Sequence, residues 1–265
     1  VLELEYTVWD PTKNITLLVS TPVERGAQAE TAARLMAARP QVEQVGFLEP
    51  AAAPGAELRL QMMGGEFCGN ASMSAAAELA QRTGGGARTV PLEVSGYPGV
   101  LSVRLSPRTD GGWDGTVAMP LPRTVGTAEV PGAGRVPAVT FDGITHCIVP
   151  AGRLTRPQAE AAVRPLCAVL GADACGILLY DEPAGAFAPL VFVASTGTAV
   201  WESGCGSGTA AVAAFLAARA GADRTVRLRQ PGGTIAAHAE WAGGRVAALS
   251  ITGRTALVER GRCAL

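Results

Sequence analysis

No stretch of this 265-residue chain stays apolar long enough to span a bilayer, so no membrane-spanning helix is expected. A basic excess is missing too. With 22 Lys and Arg against 23 Asp and Glu, the formal charge is −1, which offers nothing to nucleic acid or an anionic membrane. There is no GxxxxGK[ST] phosphate loop, and Gly204-x-Gly206-x-Gly208 has the wrong third spacing for a dinucleotide loop. Histidine is scarce. The six cysteines, Cys68, Cys147, Cys167, Cys175, Cys205 and Cys263, include no CxxC pair, so no metal site is expected. The N-terminal VLELEYTVWD lacks the basic start and apolar run of a secretory leader. A reducing cytoplasm is therefore the expected setting, with thiols free and not paired.

What the chain does contain is one short pattern written twice. Phe67-Cys68-Gly69-Asn70-Ala71-Ser72 runs into MSAAAELA, and Gly204-Cys205-Gly206-Ser207-Gly208-Thr209 runs into AAVAAFLA. Each reads as a cysteine-glycine step opening an alanine-rich helix, over 70–81 and 207–220. The first N–H groups of a helix have no intrahelical partners and carry partial positive charge. A thiol placed there is expected to ionise more easily. Cys147, Cys167, Cys175 and Cys263 lack this setting and read as small buried hydrophobes.

The likeness of the two copies continues downstream. Arg88-Thr89-Val90-Pro91-Leu92 and then Gly96 follow the first; Arg224-Thr225-Val226-Arg227-Leu228 and then Gly232 follow the second. A repeat of about 137 residues indicates a duplicated domain and not a solenoid array. Strands surrounding one central helix per half predict an α+β fold of two pseudo-symmetric lobes, each a curled sheet around its helix. The lobes are expected at 1–122, with completion by the C-terminal segment left open, and at 123–265. The Pro- and Gly-rich passage 119–137 reads as the linker.

Two lobes related by approximate two-fold symmetry would bring Cys68 and Cys205 to either side of a shared cleft. Opposed thiols suit inversion of a carbon stereocentre. One, as thiolate, removes the Cα proton while the other protonates the opposite face. One proton shared by the pair is the active state. Gly69-Asn70 and Gly206-Ser207 offer helix-start N–H donors for a substrate carboxylate.

On these residues the chain resembles the diaminopimelate epimerase-like superfamily of cofactor-independent amino-acid racemases and epimerases. Within it the chain most resembles the histidine racemases of staphylopine-type metallophore biosynthesis. The matching blocks are Asn14–Val19, Glu43–Phe47, GGEFCGNASMS (64–74), Val94-Ser95-Gly96, Met119-Pro120, Trp201–Thr209 and Gln230–Gly233. The resemblance implies that Cys68 and Cys205 form the proton-transferring pair, that no cofactor is used, and that the partner is a small amino acid. Gly69, Asn70, Gly206 and Ser207 look like the carboxylate donors. Asn14 stands where the family has an asparagine near its first strand pair, and Glu43 where the histidine racemases have a pocket glutamate.

The chain departs from diaminopimelate epimerase in one informative way. That enzyme has a Glu-Arg dipeptide before its second cysteine, whereas residues 191–205 here contain no arginine. The clamp for a second charged amino-acid end is thus missing. Glu43 and Glu202 suit a neutral or cationic side chain such as imidazole. His146, where the family has Asn-Pro-His, reads as an electrostatic aid to the thiols or as a structural histidine; His238 reads as a surface residue. The expected activity is interconversion of L- and D-histidine. Racemisation of another amino acid and a non-catalytic amino-acid-binding protein stay open, as does a homodimer. The related phenazine isomerase does not rely on paired cysteines, and their presence here argues against it.

Overall fold

A computed structural model of the chain describes residues 3–264. In chain order its elements begin with β1 (Glu3–Trp9), β2 (Thr16–Val19), α1 (Gln28–Ala38), β3 (Gln44–Glu49) and β4 (Leu58–Met62). Next come α2 (Gly69–Arg82), β5 (Arg88–Val94), β6 (Val100–Pro107) and β7 (Trp113–Ala118). Then follow β8 (Thr124–Val130), β9 (Gly134–Phe141), β10 (Ile144–Pro150), α3 (Arg156–Leu170), β11 (Ala174–Asp181) and β12 (Ala186–Val193). The last are β13 (Thr198–Trp201), α4 (Gly206–Ala220), β14 (Arg224–Gln230), β15 (Gly233–Ala242), β16 (Arg245–Thr255) and β17 (Leu257–Ala264). The fold is mixed α/β, rich in strand and poor in helix. The elements divide into two compact units. One comprises the residues through Ala118 with those from Thr252 onward; the other is Met119–Ile251.

In the first unit the strands run β17-β1-β2-β3-β4-β5-β6-β7. Only β2–β3 and β4–β5 are parallel. Parallel neighbours need a crossover, and α1 and α2 supply one each. Helix α2 packs against β2, β4, β5, β6 and β7, which is why it is built from small residues. Ala71, Ala75, Ala76, Ala77 and Ala80 are buried, and so are Ser72 and Ser74. One charge is buried with them. Glu78, fully enclosed, receives Arg82 from its own helix and the two terminal nitrogens of Arg260 from β17, at 2.9 and 3.1 Å.

In the second unit the sheet runs β8-β9-β10-β11-β12, and β12 then pairs with both β13 and β14. The β10–β11 pair is parallel, crossed over by α3. That helix starts on a capping box, with Thr155 and Gln158 satisfying each other's backbone N–H groups, and ends on left-handed Gly171. Helix α4 packs against β8, β9, β10, β14 and β15. Cys147, Cys167 and Cys175 sit in the apolar cluster under α3 with Val163, Leu166 and Leu190, as small hydrophobes. Cys263, on β17, is half-buried.

The passage 119–137 is not a linker. It forms β8, a turn at Pro131-Gly132 and the start of β9, with seven paired positions from Thr124↔Thr140 to Val130↔Gly134. Ala128, Val130, Val136 and Ala138 face the core, but Gly126, Pro137 and a single buried row dilute the alternation below what periodicity reveals. The chain from Thr252 onward belongs with the first unit.

Candidate active site

Cys68 is the N-cap of α2, in extended backbone at φ −136° and ψ 112°. Its Sγ receives the Ala71 N–H at 3.4 Å, and Ser72 Oγ holds its carbonyl at 2.8 Å. The approach to this turn is pinned by the residue just after β5. Ser95 Oγ accepts from Met62 N–H at 2.9 Å and donates to the Glu66 carbonyl at 2.8 Å. Gly96 follows at φ +69°, where a Cβ would stand 2.4 Å from the Phe67 nitrogen. Only glycine serves there, on both counts.

An amide network surrounds the first thiol. The Cys68 S–H donates to Gln44 Oε1 at 3.1 Å. Gln44 Nε2 in turn donates to Asn14 Oδ1 at 2.8 Å and Thr16 Oγ1 at 2.7 Å. Asn70 Nδ2 reaches the same Asn14 oxygen at 3.0 Å, and Asn14 Nδ2 donates to Glu43 Oε2 at 2.7 Å. Four sequence-derived residues, Asn14, Glu43, Cys68 and Asn70, thus come together through Gln44, with Gly69 buried as the first residue of α2. Glu43 keeps solvent access as a residue. Loss of water around its carboxyl still outweighs the Asn14 bond and holds its pKa above the usual carboxylate value.

Cys205 is the N-cap of α4, at φ −108° and ψ 104°, and only 3% exposed. Its Sγ receives the Gly208 N–H at 3.3 Å and lies 3.5 Å from Ser207 Oγ. Gln230 Oε1 accepts the Cys205 N–H at 2.6 Å, and its amide nitrogen donates to Thr209 Oγ1 at 3.0 Å. The Thr209 hydroxyl closes this ring on the Cys205 carbonyl at 2.7 Å. Ser207 Oγ meets His146 Nε2 at 2.9 Å, and the Glu202 carboxylate is near enough to the thiol to act on its charge. Gly206 is buried at the start of the helix. His238 pairs with Thr225 Oγ1 at 2.8 Å, away from this group.

The expectation of easily ionised thiols needs correction. Burial pushes Cys68 up to about 11, although the Ala71 and Asn70 N–H groups pull the other way. Burial also raises Cys205 well above the usual thiol value, and the Glu202 charge adds to it. The helix-start donors act in the predicted sense, but desolvation of a buried thiolate is the larger effect. Both sulfurs rest as thiols. Burial alone drives His146 down to about 4, so the imidazole is neutral.

Sequence reasoning missed Gln44, Thr16, Gln230 and Thr209. Gln44 and Gln230 lie inside recognisable blocks, beside Glu43 and Pro231. Their role depends on side-chain direction across neighbouring strands, which local spacing does not carry. Among the described residues no group of three or more His, Cys, Asp or Glu side chains is disposed to hold a metal, and no helix is long and apolar enough to cross a membrane.

The family described as the histidine racemase CntK N-terminal domain matches residues 3–263. The chain belongs to the histidine racemase family. With that family it is an isomerase of the racemase class. A histidine racemase of Staphylococcus aureus is 28% identical over 243 residues, covering 88% of this chain and 87% of that one. One from Fusobacterium nucleatum is 32% identical over 198 residues, 72% of each chain. Among solved structures, a hydroxyproline epimerase from Agrobacterium vitis with bound trans-4-hydroxy-L-proline superposes with a TM-score of 0.74. It is 16% identical, and the match covers 99% of this chain and 91% of that chain. A phenazine biosynthesis protein of the PhzF family from Bacillus anthracis gives 0.71 at 13% identity, covering 100% of both. At such identities the histidine racemase relatives speak to family, and these two structures to fold alone.

Proposed function

We propose that the chain interconverts L- and D-histidine without a bound cofactor, with Cys68 and Cys205 acting on opposite faces of Cα. We read the two units as pseudo-symmetric lobes, each folded around its cysteine helix. One observation carries the reading. Each unit caps a buried helix with a cysteine whose sulfur receives a helix-start N–H, at 3.4 Å for Cys68 and 3.3 Å for Cys205.

In one turnover a thiolate takes the Cα proton, and the C–H electron pair passes onto Cα and its carboxylate. The opposite thiol then delivers its proton to the other face, leaving the two sulfurs with exchanged roles. A thiolate whose conjugate acid has a high pKa is a strong base for so weak a carbon acid. The N–H groups of Gly69, Asn70, Gly206 and Ser207 serve as carboxylate donors, steadying the charge that builds up during proton removal.

Histidine as substrate is supported by family membership and by Glu43, whose carboxyl is fixed by Asn14 and favours a neutral or cationic imidazole. The D-histidine formed would supply a metallophore or other secondary metabolite, made in the cytoplasm. Independence from pyridoxal phosphate is supported by lysine content. A pyridoxal enzyme needs a lysine amine for its Schiff base. The chain's one lysine, Lys13, is ion-paired with Asp10 at 2.7 Å and has a side chain 62% exposed.

The test is deuterium wash-in at Cα of L-histidine in D₂O with no added cofactor, followed by chiral chromatography. Wild type is expected to incorporate label and yield D-histidine. Cys68→Ser and Cys205→Ser are each expected to lose at least about 10²-fold in rate. Full racemisation by either variant, or binding of histidine with no exchange, would refute the two-thiol assignment.

A further inference from the structure

His146, on β10, is fully buried, and its two ring nitrogens meet different surroundings. Nε2 lies 2.9 Å from the Ser207 hydroxyl. Nδ1 has no hydrogen-bond partner among the described residues. It faces Gly176, the residue in register with His146 on the parallel strand β11. A Cβ on Gly176 would stand 2.1 Å from Nδ1, so any side chain there displaces the ring. In glycine a Cα hydrogen points along that direction instead. A bare ring nitrogen accepts a C–H lying against it. An N–H would press hydrogen on hydrogen, and would have given up water with no acceptor in return.

We propose that Gly176 fixes His146 as the neutral tautomer with its proton on Nε2, making His146 a positioning residue that aims the Ser207 hydroxyl at Cys205. With Nε2–H donating to Ser207 Oγ, the serine's own proton is left for Cys205 Sγ, 3.5 Å away. The donors therefore run one way, from His146 through Ser207 to Cys205. The Glu202 carboxylate is near enough to the Cys205 thiol to disfavour its ionisation. When Cys205 delivers its proton to Cα, the electron pair of the S–H bond stays on sulfur. The thiolate then faces two donors, Ser207 Oγ–H and the Gly208 N–H at 3.3 Å. His146 takes up no proton at any stage. The depressed imidazole pKa, about 4, agrees with this assignment.

The catalytic half of this proposal rests on the reading of Cys205 as an acid-base group, whereas the tautomer does not, and the two are tested separately. The chain has two histidines, His146 and His238, so an imidazole ¹⁵N spectrum holds two rings. His238→Gln assigns them. For His146 the expected result is a bare Nδ1 and a protonated Nε2, unchanged from about pH 5 to about pH 8. A proton on Nδ1, or an imidazolium signal in that range, overturns the proposal whatever the activity. In racemisation assays His146→Gln keeps an N–H donor and cannot titrate; it is expected to hold kcat within about tenfold of wild type. His146→Phe, of similar size but with no donor, is expected to lose kcat about a hundredfold with KM little changed. If His146→Gln is as inactive as His146→Phe, His146 works as a base and the positioning role is wrong. Absence of exchange in wild type would sink the racemase reading and leave the spectroscopic result standing.

Discussion

Burial of a neutral imidazole makes a quantitative claim about stability and pH. Free histidine titrates near 6.5, whereas His146 is held at about 4 by burial. Between those values the unfolded chain binds a proton that the folded chain refuses, so stability rises with pH there and falls as acid is added. The cost begins near pH 6.5, grows as pH drops, and stops growing below about 4. A shift of that size corresponds to about 3 kcal/mol. The perturbation is His146→Gln, which removes the titration while keeping a polar group of similar reach. Urea denaturation followed by circular dichroism, at steps from about pH 7.5 to about pH 4, would give the stability of each protein. Wild type should lose about 3 kcal/mol more than the variant across that window. His238 is half-exposed and common to both proteins, so it cancels. Parallel curves for the two would refute the claim that His146 is buried uncharged.

Other outcomes follow from the same geometry. Glu78→Ala should destabilise the protein by about 2–4 kcal/mol, since it removes a buried carboxylate that two arginines hydrogen-bond; an unchanged denaturation midpoint would rule this out. Glu43→Gln should raise KM for histidine roughly tenfold or more while sparing exchange on a small neutral amino acid, measured by the same deuterium assay. Lys13→Arg, and treatment of wild type with borohydride, should leave racemisation intact; inactivation by either would point to an amine-bound carbonyl cofactor. Thr155→Ala should cost about 1 kcal/mol through loss of the α3 capping box, with no effect on exchange rate.

Much of the fold can be read from residue order alone. Helices α2 and α4 announce themselves through their cysteine-glycine starts, their alanine runs and, for α4, Gly221 just past the end. Strands β10 and β11 are buried over most of their length because both faces are covered. The β8–β9 hairpin escapes such a reading because each strand buries one sparse row of small residues, while its prolines and glycines mimic a linker. The candidate site divides in the same way. Cys68, Cys205, Asn70 and Ser207 are legible because they sit in one local turn whose chemistry is set by neighbours in sequence. Gln44 and Gln230 act across strands, at 24 and 25 residues from the cysteines they bond. Gly176 acts only through the register of β10 with β11. The thiol pKa values run opposite to expectation because a helix start says where donors are, while the depth of the sulfur depends on the whole sheet above it.

Because β17 belongs with the first half of the chain, a ribosome finishes the two halves out of order. Every residue of Met119–Ile251 has emerged before the opening unit receives its final strand. Until then Glu78 lacks its Arg260 partner, and the β1 edge awaits its antiparallel neighbour. The half that carries Cys68 is therefore the one that must stay soluble while incomplete during synthesis, and the one most exposed to chaperone capture or premature pairing of its open edge.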